Sequence, residues 1–250
     1  MKKISVLVLF IITVLGLVGC GKKGETVTVL TSSGYEPYEM VGTDGKLTGF
    51  DIELMEALAH EVGIKIKWKD VDFDGIRASL QSGQAEIAIA GITPSPKRAL
   101  YVDFSEIYYN SEDGLVNYFV SKSSNPIKSL EDLDGLVVGA QLGTVQANLI
   151  SELASKYNFT VDLRNYNTQI VEEINAGRID VLVVESLVAE SILEVNDNLS
   201  KEIFDYTLDS KYGNAIAFTK GSEYVEEFNK AIVKLQENGK IDELVKKWFD

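Results

Sequence analysis

IRASLQSGQAEIAIAG at residues 76–91 and IVEEINAGRIDVLVVE at residues 170–185 repeat one pattern. Ile76, Leu80, Gly83, Glu86, Ile87 and Ile89 match Ile170, Ile174, Gly177, Asp180, Val181 and Val183, each pair 94 residues apart. Both segments read as a helix, a glycine stop, an acidic turn and a buried strand. A generic αβ joint would produce a similar string. Read instead as equivalent units, they put Gly91 and Glu185 at corresponding places, each at the carboxyl end of its strand. Ligands of open α/β sheets bind at that edge, so two such edges facing each other make a cleft between lobes.

The chain around this echo fits the same class. Short β-rich runs at 27–30, 64–68, 87–90, 136–139 and 181–184 are separated by helical segments, which predicts an α/β fold with largely parallel sheets. Near the C-terminus Val225, Phe228, Ile232 and Leu235, then Ile241, Leu244, Val245 and Trp248, predict two amphipathic helices broken at Asn238 and Gly239.

Composition removes several functions. The 250 residues carry 24 Lys plus Arg against 38 Asp plus Glu, a net charge of −14, with 45% hydrophobic residues. That is a globular balance, long enough for two domains, with no basic stripe to meet a phosphate backbone. Nucleic acid is not an expected partner. One Cys and one His exclude an intrachain disulfide and a Cys/His zinc cage. His60 shares the polar face of a helix with Glu53 and Glu56, opposite Ile52, Met55, Leu58, Ala59 and Val62, which removes histidine catalysis. No cofactor is expected.

Three features point into the cleft. In GITPSPKR (91–98) Ser95 can cap a short helix with Pro96 first in it, presenting Arg98 near Thr93 and Gly91. A guanidinium there suits a carboxylate. The loop QLGTVQ (141–146) opens a helix whose free amides favour an anion, which adds Thr144, Val145 and Gln146. Tyr35, Tyr38 and Phe73 stand in loop contexts beside Gly34, Pro37 and Gly75, as pocket walls do.

The first residues read as an address. Lys2 and Lys3 precede an apolar run at 4–18, the layout of a secretory signal and too short for a membrane span. The run ends in LVGC (17–20), which resembles the lipobox of bacterial lipoproteins, where cleavage precedes a Cys that carries a lipid; the other reading is a buried thiol after a retained helix. Removal of residues 1–19 takes away two lysines and no acid, leaving −16. Residues 20–25 then form a polar tether holding the protein on the extracytoplasmic face of the membrane.

Seven strings in order carry a wider resemblance: YEPY (35–38), GKLTGFDIELMEALA (45–59), VDFDGI (71–76), GITPSPKR (91–98), VDFSEIYY (102–109), SLEDLDG (129–135) and LGT (142–144). The chain is similar to family-3 solute-binding proteins, the polar amino-acid receptors of ABC importers. The resemblance implies a two-lobed periplasmic-binding-protein (Venus-flytrap) fold with two strand crossings, lobe 1 at 26–110 and 211–250, lobe 2 at 111–210, and hinges near 108–113 and 208–212. It implies that Arg98 clamps the ligand α-carboxylate with the amides of Thr93, Thr144 and Val145. Glu185, with the Gly91 carbonyl and the Thr93 hydroxyl, would hold the α-ammonium, and Tyr35 and Phe73 would sandwich the side chain. Glu185 departs from the usual Asp, Lys97 from a usual Glu and Ile107 from a usual Pro.

Arginine is the expected ligand, since the aromatic pair would stack on a guanidinium and Glu36, Glu39 and Gln146 would meet its distal end. Ser32, standing where some basic-ligand members have a carboxylate, keeps glutamine or another polar amino acid open. A monomer delivering its ligand to a membrane permease is expected, on a Gram-positive outer surface by family habit. An enzyme would need paired carboxylates with split pKa values or a usable histidine. The sequence offers mainly one acid against one arginine, and no fused domain is expected after Trp248. A sensor independent of a transporter is a third reading.

Overall fold

The computed structural model describes residues 24–110, 116–204 and 213–249, over which the chain builds one sheet, passes to a second and returns to the first. The expected leader, Cys20, residues 21–23 of the tether, and 111–113 and 208–212 of the expected hinges lie outside the described residues. The first stretch runs β1 (Thr26–Thr31), a small hairpin of β2 (Met40–Val41) and β3 (Leu47–Thr48), α1 (Phe50–Val62), β4 (Lys65–Asp70), α2 (Gly75–Gln81), β5 (Ile87–Ala88), α3 (Pro96–Ala99) and β6 (Val102–Phe104). The second lobe holds β7 (Asn117–Lys122), a 3₁₀ turn at Glu131–Leu133, β8 (Val137–Gln141), α4 (Val145–Tyr157), β9 (Thr160–Arg164), α5 (Asn167–Ala176), β10 (Val181–Glu185), α6 (Ser186–Glu194) and β11 (Leu199–Ile203). The chain then adds β12 (Ala217–Thr219), α7 (Tyr224–Glu237) and α8 (Lys240–Trp248) to the first lobe.

The sheets are topological twins. One has the order β4-β1-β5-β12-β6; the other, read in the matching direction, is β9-β8-β10-β7-β11. The echoing segments supply α2 with β5 and α5 with β10, and β5 and β10 hold the same central place in their sheets. Gly91 and Glu185 thus sit at equivalent edges.

The sheets are largely parallel, as expected, with one reversed strand in each. β1 is parallel to β4 and β5, and β8 to β9 and β10, but β12 is antiparallel to β5 and β6, and β7 to β10 and β11. The reason lies in the crossings. A strand entered from the other lobe starts at the cleft and must run away from it, against strands whose carboxyl ends point there. An antiparallel bridge between Tyr109 and Asn214 brings the flanks of the two crossings side by side.

The strands are apolar on both faces because both faces are covered. Val29, Ile87 and Ile89 pack with Leu54, Leu58, Phe228 and Ile232 under α1 and α7, while Leu30, Ala88 and Ala90 meet Ile76 and Leu80 of α2. Val181 and Val183 face the α4 side with Ile150 and Leu153, and Leu182 and Val184 face α5 with Ile170 and Ile174. Each fully buried Val, Leu, Ile or Phe among them contributes about 1.5–3 kcal/mol. His60 is exposed, as its helical position predicts.

One glycine sets the start of α1. Gly49 precedes Phe50 at φ 130°, and a Cβ there would stand 2.2 Å from the Tyr38 carbonyl oxygen. The tight junction draws Asp51 inward, its amide donating to the Tyr38 carbonyl at 2.9 Å. Gly49→Ala should cost more than about 2 kcal/mol in urea unfolding, through strain and clash together. Gly45→Ala, also at positive φ but with nothing within 4 Å, should cost about 1.

Candidate functional site

The carboxyl ends of both sheets open onto one cavity, whose empty space together with the solvent at its mouth is about 420 Å³. Ser32 and Tyr35 reach it from the loop after β1, Phe73 from the turn before α2, Gly91 and Thr93 from the chain after β5, and Arg98 from α3. The other lobe supplies Thr144, Val145 and Gln146 at the head of α4, and Glu185 at the end of β10. The structure therefore brings these ten residues, each marked from the sequence, to one place.

Local chemistry explains each position. Ser95 caps α3, its Oγ accepting from the Arg98 amide at 3.2 Å, with Pro96 at the first helical position. The Arg98 guanidinium donates to the Thr93 carbonyl at 2.6 Å and, across the cleft, to the Gly143 carbonyl at 2.9 Å. It also lies over the Phe73 ring, 5.4 Å from the centroid. Thr144 caps α4 by accepting from the Ala147 amide at 3.1 Å. Gln146 donates to Asn117 at 2.9 Å. Gly91 has φ 54°, and a Cβ there would come within 2.9 Å of the Tyr35 ring.

The lobes meet directly around this cavity. Asp72 accepts from the Tyr166 hydroxyl at 2.5 Å and from the Asn165 amide group at 2.9 Å. A Cβ on Gly143 would lie 2.9 Å from the Asp74 Cα, so the two backbones touch there. A larger hollow of about 1040 Å³ opens beyond Phe73 and Arg98, with Arg77, Lys97 and Tyr101 on its walls.

Two expectations are corrected. Tyr38 does not line the cavity: it is wholly buried, stacked on Tyr35 at 5.6 Å and wedged against Phe249 at 5.2 Å. Glu36 is not among the lining residues, whereas Glu39 is. Sequence reasoning missed Ala90, Gln141, Asn214 and, just behind the wall, Asp51. Asp51 was detectable, since it precedes Met55, Leu58 and Val62 on the apolar stripe of α1 and so had to be buried. Its Oδ2 accepts from the Gly91 amide at 2.7 Å and from the Tyr108 hydroxyl at 2.9 Å. The site thus holds three buried carboxyls, Glu39, Asp51 and Glu185, and not mainly one.

Those groups are charged at a cost. Burial lowers Arg98 to about 10, which leaves it protonated at neutral pH. Burial pushes Glu185 up to about 8, against the pull of the Val188 amide at the head of α6, and one of its oxygens has no partner. Burial also pushes Asp51 to about 7 and Glu39 well above the usual carboxylate range, the latter further raised by Asp51. Such a set is what a recognition site looks like before a charged molecule completes it.

A family model for bacterial extracellular solute-binding proteins, family 3, matches residues 27–250. The chain belongs to this family. As a family-3 solute-binding protein it is 36% identical to the arginine-binding extracellular protein ArtP of Bacillus subtilis (strain 168), over 100% of this chain and 98% of that one. It superposes on an ancestral arginine-binding protein bound to arginine with TM-score 0.83 at 34% identity, covering 90% of this chain and 98% of that one. An ancestral arginine-binding protein bound to glutamine gives TM-score 0.82 at 35% identity, covering 90% and 97%. The family binds solutes and is not a family of enzymes. Among the described residues no helix is long and apolar enough to cross a membrane.

The empty solute-binding protein should be less stable at pH 8 than at pH 5. Carboxyls raised in the fold favour their neutral form, so their contribution is full near their ordinary values around 4 and is lost as pH rises through about 7 for Asp51 and about 8 for Glu185. Thermal unfolding without ligand should show the melting temperature falling across that window. Glu185→Gln should flatten the upper part of the fall; a wild-type curve level from pH 5 to 8 would contradict the assignment.

Proposed function

We propose that this protein is the amino-acid receptor of an ABC importer, with arginine its preferred ligand. The observation that carries this reading is one cavity walled by Arg98 from the first lobe and Glu185 from the second. An α-amino acid presents one carboxylate and one ammonium a few ångströms apart, which matches a fixed cation on one lobe and a carboxyl on the other. In this reading Arg98 takes the carboxylate, helped by amides at Thr93, Thr144 and Val145. Glu185 takes the ammonium with the Gly91 carbonyl and the Thr93 hydroxyl. Tyr35 and Phe73 flank the side chain.

Closure follows from the division of charge. The ligand meets Arg98 on a first lobe of residues 26–110 and 211–250. A second lobe of residues 111–210 then swings in over it. Only the closed form satisfies both ends, so the ligand is the latch, and the permease reads the closed shape. Glu185, neutral while the site is empty, ionises as the ammonium arrives.

Arginine is favoured by the relatives and by Glu39, a buried carboxyl on the cavity wall with no donor reaching either oxygen. Glutamine is the second reading, supported by the buried, unpartnered hydroxyl of Ser32 and by the glutamine-bound ancestral structure. We further propose that the leader is removed and that Cys20 is lipidated. Acyl chains at about 0.8 kcal/mol per buried CH₂ would then hold the monomeric receptor on the extracytoplasmic face beside its permease.

A thermal-shift screen of the twenty amino acids should show its largest rise with arginine. Ligand at about 100 times Kd adds about 2.7 kcal/mol of stability, which is several degrees for a domain of this size. In titration calorimetry Arg98→Ala should bind arginine about 100-fold more weakly or worse, because a ligand carboxylate left buried without its partner costs roughly 3–5 kcal/mol. Wild-type affinity in that variant would remove Arg98 from the site.

A further inference from the structure

Glu39 stands on the cavity wall with no exposed surface, and no donor of the described chain reaches either of its oxygens. Its side chain lies carboxyl to carboxyl against Asp51, whose Oδ1 likewise has no donor. Two ionised carboxylates offer acceptors only and repel each other at such a contact. The pair is stable when one proton lies between them.

The surroundings say which partner carries it. Asp51 Oδ2 already accepts two hydrogen bonds, from the Gly91 amide and the Tyr108 hydroxyl, which favours its charge. Glu39 has no such help. Asp70 at the end of β4 and Glu36 on its own loop add negative charge, and Asp51 at the head of α1 adds more. Tyr35 on the same loop, Tyr108 behind Asp51 and Glu185 from β10 are acids facing this corner of the cavity. The cation on the cavity wall, Arg98, is committed to the Thr93 and Gly143 carbonyls. Glu39 is therefore the neutral member, donating to Asp51.

We propose that Glu39 and Asp51 hold one proton between them in the empty site, and that a ligand with a cationic side chain binds in exchange for that proton. This rests on the reading of the cavity as an amino-acid site and names how that site tells arginine from glutamine. A guanidinium placed against Glu39 requires the carboxylate and drives the proton out. A neutral amide is content with the protonated acid and leaves it in place. The receptor is then a cation-for-proton exchanger at one corner of its pocket, and its preference for a basic ligand is set by pH. Proton release from Glu185 accompanies any α-amino acid, so the difference between two amino acids isolates the Glu39 corner.

The test is titration calorimetry of the whole folded protein with L-arginine and L-glutamine, in buffers of different ionisation enthalpy, between pH 7 and 8.5, above the value of about 7 to which burial raises Asp51. Arginine should release about one proton more than glutamine, and the ratio of their affinities should rise towards tenfold per pH unit, by linkage. In Glu39→Gln, whose amide still donates to Asp51, the extra proton should vanish and the two pH profiles should run parallel. Equal proton release by both ligands in the wild type overturns the proposal alone, as does an extra arginine-linked proton that survives in Glu39→Gln. Binding of neither amino acid in any buffer overturns the receptor reading and this proposal with it.

Discussion

A half-buried guanidinium and a fully buried carboxyl, each supplied by a different lobe, face one hollow with no ion pair between them. Burying charge without a counter-charge is among the costlier things a fold can do. Arg98 is quieted by two backbone carbonyls, one of them from the opposite lobe, and Glu185 by holding its proton. Both arrangements are interim ones. They leave binding energy in reserve for a molecule that carries the complementary charges at the right separation.

The rest of the architecture serves that placement. Twin sheets bring two sets of strand ends to one line, and the double crossing keeps them facing. Small local devices then aim the side chains: the Ser95 cap turns α3 so that Arg98 points back over Thr93, and Gly49 lets α1 start close enough for Asp51 to hold the Gly91 amide. Asp72, bridged to Asn165 and Tyr166, ties the lobes together beside the hollow through side chains that do not line it. Weak contacts of that kind tune how far an empty receptor lies towards its closed form.

Much of this was legible in the chain before any coordinates. The repeated helix–glycine–acid–strand unit located the two strand ends that open onto the cavity because a parallel strand buried on two faces leaves a continuous apolar run, as at 87–90 and 181–184. Motif residues such as Arg98 and Thr144 were legible because caps and glycine loops depend on near neighbours in sequence. What stayed hidden depends on distant ones. β7, NYFVSK, and the short β12 do not announce their direction, since direction is set by the side from which the chain enters the sheet. Tyr38 looks like Tyr35 in its loop, yet Phe50 and Phe249 close over one and leave the other on the wall. The pairing of Glu39 with Asp51 appears only when the α1 junction folds back on the loop that precedes it.

The account turns on which atoms of the ligand meet which lobe, and a crystal structure of the protein grown with L-arginine reads this directly. The α-carboxylate should lie within hydrogen-bond distance of the Arg98 guanidinium and the α-ammonium within hydrogen-bond distance of the Glu185 carboxylate, both inside the smaller hollow. Arginine found with its ends reversed, or seated in the larger hollow beside Arg77 and Lys97 with Glu185 untouched, would contradict it.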